Sequence, residues 1–451
     1  MTQMEPLDTA DWLNSPTAED PAEAFSDPAE AFSRKLRSEL ILPQILPPND
    51  IVYLDNAATT PRLQCAMDAM MTFTKFANGN PHRGPHPLAN EAELEYEHAR
   101  RTVADFLHAD PSEIVFTAGA TQSLNLVALC WGAYHLREGD EVVTTIMEHH
   151  SNELPWRRLA QGLGLKQKTM RCDESGLLTD EEIDRNITPG TRLVAVTQMS
   201  NVLGQRMDKT IARIVRRAHS VGAAVVLDAA QSVSSLDANA LNVRKLDVDF
   251  LAFSGHKVYA PMGIGVLYAK RERMLEMLPL FLGGGMVNSV TREDYYYAEA
   301  PQRFEAGTVN AAGAVALGEA LRRLRQLDPD GRLTHAWKQK LTARLFSGLY
   351  ELAGYGLRIA GSPSPQMHEG LVTFTLDKKI TGLSIDDINL HLSEDGICVR
   401  TGLHCAHPLM QHLGMDNSIR VSIGAWNSIE EVDKFIESLH KTVFNYAKGA
   451  E

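Results

Sequence analysis

Cysteine is scarce in this chain of 451 residues: Cys65, Cys130, Cys172, Cys398 and Cys405 are scattered, with no Cys-x-x-Cys spacing among them. An odd, dispersed set makes neither a disulfide framework nor a zinc ribbon and fits reduced thiols. Long apolar runs are missing too. None approaches the roughly 20 residues of a membrane span, and the first residues lack the basic-then-apolar pattern of an export signal, so a cytoplasmic protein without a membrane partner is expected. Positive charge is absent from residues 1–33, which carry eight acidic side chains, and the formal net charge of −13 therefore leaves only −5 for the rest. Such a body has no basic footprint for nucleic acid. What remains is ordinary for a globular protein, 22% charged and 44% hydrophobic, and the length calls for two or three domains.

Residues 1–50 read as an acidic N-terminal extension and linker. Asp20-Pro21-Ala22-Glu23-Ala24-Phe25-Ser26 repeats at once as Asp27-Pro28-Ala29-Glu30-Ala31-Phe32-Ser33. Each copy can form a short helical turn with Asp as cap and Pro at the first helical position. A flexible tail and a docking segment are both open readings, with Pro43, Pro47 and Pro48 closing the linker.

From Val52 the character changes. Tyr53 to Pro61 reads as a loop lying over a site, and strand candidates then alternate with amphipathic stretches: Ile114–Thr117, Glu141–Ile146, Arg192–Gln198, Ala223–Ala229, Phe250–Ser254 and Gly265–Ala269. Continuous apolar runs between helix-length segments predict a mostly parallel sheet covered on both faces, an α/β large domain over residues 51–310. Residues 311–451 are expected to form a smaller α+β domain. It would hold a helix near Val315–Arg325, strands at Leu371–Leu376, Ile397–Arg400 and Ser418–Ser422, and a last helix opened by the capping box Ser428-Ile429-Glu430-Glu431.

Chemistry concentrates where these strands end. After Val248–Phe253 the chain breaks at Ser254-Gly255 and presents His256 and Lys257. A lysine at the carboxyl edge of an α/β sheet can be desolvated into a nucleophile for carbonyls. Asp228, ending a strand, can hold a cofactor's ring nitrogen protonated, or be a turn aspartate. The turn Thr117 to Asn125 opens a helix that can take an anion, or is merely capped by Thr121. Glu148-His149-His150 follows another strand; a ring stacked on a cofactor suits His149 better than metal ligation, and His150 can be structural. In Arg400-Thr401-Gly402-Leu403-His404-Cys405-Ala406-His407, Cys405 has positive neighbours that favour a thiolate. A zinc cluster of His404, Cys405 and His407 and an inert cysteine remain alternatives.

Together, Ser254-Gly255-His256-Lys257, Asp228-Ala229-Ala230-Gln231, Glu148-His149-His150 with Asn152, Pro155 and Trp156, Arg303-Phe304-Glu305-Ala306-Gly307-Thr308, and the loop from Arg400 to Met410 resemble the group II, SUF-type cysteine desulfurases. These are class V, fold-type I enzymes that depend on pyridoxal 5'-phosphate, and the resemblance runs from Tyr53 to the last helix. It implies that Lys257 holds the cofactor and moves protons, with Asp228 at the ring nitrogen, Gln231 at the ring hydroxyl and His149 stacked on the ring. Thr121, Ser254 and His256 would bind the phosphate, joined by Thr308 of the second subunit of a homodimer. Asn201 and Arg420 would orient L-cysteine near Arg400, and Cys405 would take its sulfur as a persulfide, leaving alanine. The sulfur would pass to a SufE-like or SufU-like acceptor in iron–sulfur cluster assembly. No metal site is implied.

Two positions depart from the family: Leu403 replaces a histidine before the cysteine, and Val309 a proline after Thr308. Selenocysteine lyases and other class V lyases or aminotransferases share four of the five motifs, and a non-catalytic scaffold is a third reading.

Overall fold

A computed structural model of the chain describes residues 27–42, 51–81 and 84–447. The first copy of the repeat and the three linker prolines lie outside the described residues. Seven strands form the central sheet: β1 (Ile114–Thr117), β2 (Glu141–Thr145), β3 (Lys166–Met170), β4 (Thr191–Thr197), β5 (Ala224–Asp228), β6 (Phe250–Ser254) and β7 (Gly265–Ala269). Their order is β1-β7-β6-β5-β4-β2-β3. Only β7 runs antiparallel to its neighbours; every other pairing is parallel.

Alternation explains the apolar runs. Val194, Val196, Val225, Leu227, Leu251 and Phe253 enter one core cluster, while Leu193, Ala195, Ala224, Val226, Phe250 and Ala252 enter another on the opposite face. Both sides of each inner strand are therefore covered, as the period of two requires. Strand β3 is not among the strands the apolar runs predict. Its sequence, Lys166-Gln167-Lys168-Thr169-Met170, is polar because it lies at the sheet edge and is largely accessible to water.

The C-terminal part builds a second, antiparallel sheet from Arg358–Ile359, Leu371–Thr375, Ile419–Ser422 and Arg400–Thr401, in that order. Helices Arg332–Tyr350, Ile385–Glu394 and Ile429–Ala447 cover it through residues such as Trp337, Leu345, Ile388 and Phe435. The helix expected to open this part, Ala311–Leu327, instead buries Ala314, Leu317 and Leu321 in the large core, against helices Gln64–Phe76 and Pro87–Leu107. Its small residues explain the choice: a Cβ on Gly318 would stand 3.0 Å from the Ala99 Cα, so the helices meet almost backbone to backbone.

The second copy of the repeat is folded rather than a free tail. Asp27 accepts from the Ala29 N–H at 3.0 Å and caps the helix Pro28–Ser38, which runs longer than the single turn expected. Phe32 and Leu36 are buried, Arg37 lies over Trp426 at 5.1 Å, and Lys340 reaches Asp27 at 2.9 Å.

Candidate active site

The parallel strands β2, β4, β5 and β6 deliver their carboxyl ends to one edge of the sheet, and the second sheet leans its Arg400 and Arg420 towards the same place. There a cavity of about 240 Å³ is lined by Lys257, Cys405, Asp228, Gln231, His149, Thr121, Ser254, His256, Asn201, Arg400 and Arg420, residues separated by up to 299 positions in sequence but assembled by the topology. Thr308 does not line it. That threonine is exposed, on a loop anchored by Glu305, whose carboxylate takes two bonds from the buried Arg100 (2.9 and 2.8 Å) and one from the Phe116 N–H of β1.

Lys257 sits in a single 3₁₀ turn, Gly255–Lys257, directly after β6. Its amine makes no hydrogen bond among the described residues, and burial pulls its pKa down to about 8 against the opposing pull of Asp228, with Arg420 adding to the fall. Asp228, at the end of β5, takes the Ala230 N–H on one oxygen at 2.9 Å; the other oxygen has no protein partner among the described residues, and burial raises its pKa. Its neighbour Gln231 donates to the Ala57 carbonyl at 2.9 Å.

His149 caps the helix His150–Leu163, its Nδ1 accepting from the Ser151 N–H at 3.1 Å. Nδ1 is then the bare nitrogen and Nε2 carries the proton of the neutral ring. Burial and, after it, Lys257 hold that ring's pKa down at about 4. His256, beside Thr59, is lowered to about 4 by the same two causes. Ser254 accepts from the Ala120 N–H at 2.8 Å, tying β6 to the start of the helical run that holds Thr121.

Arg420 and Arg400 face each other across paired strands, an arrangement that repels unless an anion intervenes. Asp55 partly supplies it, 3.0 Å from Arg420 and 3.9 Å from Arg400. Arg420 also donates to the Asn201 carbonyl, yet its buried Nε has no partner among the described residues. Cys405 is half-buried beside them, and both it and His404 hold left-handed backbone (φ 55° and 50°), which few residues other than glycine adopt. Asn201 Nδ2 on the His404 carbonyl (2.6 Å) and the His150 N–H on the Cys405 carbonyl (2.9 Å) hold them there. His404 and His407 diverge: His404 Nε2 pairs with Ser418 Oγ at 2.9 Å, and His407 meets His150.

Two residues of the site carry no mark of their role in the sequence. Asp55 reads there only as part of a loop over the site, and nothing in its surroundings marks it as the counter-ion of residues 345 and more positions away. Glu148 stands in its motif with no role that spacing gives it; it is buried, its pKa pushed up to about 8 by burial, and it accepts from Thr145 Oγ1, Asn152 Nδ2 and the Thr197 N–H at 2.6, 2.6 and 3.0 Å.

A doubly covered, mostly parallel sheet with a desolvated lysine, a buried aspartate and a helix start at its carboxyl edge defines an enzyme of the aminotransferase type. More narrowly, the chain belongs to the class-V aminotransferase family, whose model matches residues 52–435. It is 37% identical to a probable cysteine desulfurase of Vibrio cholerae over 89% of this chain and 96% of that protein. It is 38% identical to a probable cysteine desulfurase of Mycolicibacterium paratuberculosis over 94% of this chain, and spans only 60% of that longer protein. The apo structure of a cysteine desulfurase from Thermococcus onnurineus NA1 superposes with a TM-score of 0.83 at 37% identity, covering 91% of this chain and 98% of that one.

The cofactor is pyridoxal phosphate, and the cavity fits it. An amine and a carboxylate oxygen, both lacking protein partners among the described residues, face one space, and the hydroxyls of Thr121 and Ser254 lie near a helix start where N–H groups favour an anion. Close approach there depends on Gly265: a Cβ on it would stand 2.4 Å from the Gly119 Cα. Gly265→Ala is expected to cost about 1–3 kcal/mol of stability through overpacking, and to weaken cofactor retention by shifting this turn. Melting curves of the protein with and without cofactor check both.

Proposed function

We propose that this chain is a cysteine desulfurase that releases alanine from L-cysteine and keeps the sulfur as a persulfide on Cys405. One observation carries the reading: Lys257 and Cys405 open into the same cavity, with Arg420 and Arg400 beside them. When bound, pyridoxal phosphate supplies a carbonyl that joins to amines and a ring that draws electrons from the adjacent carbon. Lys257 would anchor it, Asp228 hold its ring nitrogen, Gln231 its hydroxyl, and His149 cover its ring. Thr121, Ser254 and His256 would hold its phosphate, with Thr308 of a second copy in a homodimer.

The chain's own groups then divide the work. Arg420, Arg400 and Asn201 orient the substrate carboxylate, which supplies the further anion that two facing guanidinium groups call for. Lys257, with a pKa of about 8, can give and take protons near neutral pH. His149 Nε2 is a second proton-bearing atom at the site. The Cys405 thiolate attacks the substrate sulfur: an S–S bond forms, the C–S bond breaks with its electron pair going to carbon, and a proton delivered to that carbon completes alanine. The persulfide would pass to a small SufE-like or SufU-like acceptor for iron–sulfur cluster assembly in the cytoplasm. Among the described residues no helix is long and apolar enough to cross a membrane.

The test is alanine released from cysteine by the cofactor-loaded protein, with and without a thiol reductant to discharge the persulfide. Alanine and sulfide in equal amounts support the reading; loaded protein that makes neither overturns it. Arg420→Lys keeps the charge and loses the planar fork, so kcat/KM for cysteine should fall by about 10–100-fold, mainly through KM. Initial rates over a range of cysteine concentrations check this.

A further inference from the structure

Beside the mouth of the cavity, two imidazoles from distant parts of the chain meet. His407 Nδ1 lies 3.1 Å from His150 Nε2, and the rings are 4.8 Å apart at 31°. His150 is the first residue of the helix His150–Leu163, and His407 stands two positions after Cys405. The same His150 donates its backbone N–H to the Cys405 carbonyl. The cysteine loop is thus fastened to that helix twice, by backbone and by rings, at the point where two successive residues hold left-handed conformations.

We propose that His150 and His407 form a positioning clasp that holds Cys405 in place and opens when both rings are protonated. The inference rests on the reading of Cys405 as the sulfur-accepting thiol. A hydrogen bond between imidazoles needs one bare ring nitrogen as acceptor. Two neutral rings satisfy it, and one extra proton is tolerated because the charged ring donates. A second proton removes the acceptor and leaves two cations 3.1 Å apart. The charged groups facing the His150 ring from the helix are Glu153 and Arg157, with the His149 ring 6.2 Å away; from the loop it is His407 itself. Burial first, then His407, holds the His150 ring below the ordinary histidine value, while Glu153 opposes. The clasp is therefore closed at neutral pH and is lost as pH falls below the histidine range.

Leu403, on the other side of the cysteine, packs against the large core and takes no part in this tie to the helix.

The test reads the thiol, not turnover. In the cofactor-loaded full chain, the rate at which dithiodipyridine modifies Cys405 is followed by peptide mass spectrometry for the wild type, His407→Ala, His150→Ala, the double variant and His407→Gln. Cys130 and Cys172 are buried with thiols pushed up to about 11, so Cys405 is read separately from them. At about pH 8 the alanine variants should react several-fold faster than the wild type, the double variant no faster than either single one, because each breaks the same contact. Towards about pH 5 every rate falls with the thiolate fraction, and the ratio of the alanine variants to the wild type should approach one. His407→Gln offers an amide that bonds without titrating and should stay slow at both. Equal rates at the higher pH, or a ratio unchanged by pH, overturns the clasp. Failure to release alanine from cysteine would overturn the desulfurase reading and leave the labelling result standing.

Discussion

Cys405→Ser is expected to load pyridoxal phosphate as the wild type does and to release alanine from cysteine slower by on the order of 10³-fold or more. The split follows from where the residue sits. Among the described residues, the bonds that shape the cofactor end of the cavity leave out the Cys405 side chain: Ser254 is tied to Ala120, Asp228 to Ala230 and Gln231 to Ala57. The loop itself is held through backbone carbonyls, by Asn201 and by the His150 N–H, and a serine keeps both. What the hydroxyl loses is the soft, ionisable sulfur that can accept another sulfur. Visible absorbance of the loaded protein checks the first half, and alanine release with mass spectrometry of the peptide spanning residue 405 checks the second. A serine variant that turns cysteine over at the normal rate would make Cys405 incidental and point to another class V lyase.

The inner sheet was legible because each of its strands is buried on both faces, so Val-, Leu- and Ala-rich runs such as Ala224–Leu227 announce themselves one by one. The polar edge strand Lys166–Met170 was not, since an edge pairs on one side and keeps water on the other. The helix Ala311–Leu327 has a clear period, but its partner is decided by the fit of Gly318 on Ala99, which no local pattern carries. The site was legible to the extent that its chemistry clusters in short motifs: Asp228, His149, Lys257 and Cys405 each stand at a strand end or in a loop with distinctive neighbours. Asp55 between Arg400 and Arg420, and His407 against His150, are pairings between distant segments, visible only once strand register and loop path are fixed. The repeat shows both outcomes in one element: Asp27 and Pro28 mark the helix start, whereas its length depends on Phe32 and Leu36 finding a core.

Lys257→Arg is expected to be as damaging as Lys257→Ala, each lowering turnover by on the order of 10³-fold or more, and the comparison isolates the reason. Arginine keeps a cation near Asp228 and much of the volume, but a guanidinium with a pKa above about 12 has no free electron pair to offer a carbonyl near neutral pH. The lysine does, because its pKa is drawn down to about 8, chiefly by burial. The sign is fixed: the amine is charged below that value and neutral above it. Loading of cofactor-free wild type with pyridoxal phosphate should therefore speed up as pH rises and level off above about 8, falling roughly tenfold for each unit below. Stopped-flow absorbance gives that profile, and borohydride reduction followed by peptide mapping tells whether residue 257 carries the label. A half-maximal rate near the ordinary lysine value of about 10.4 would mean that the cavity does not desolvate this amine, and the role assigned to it here would fail with that result.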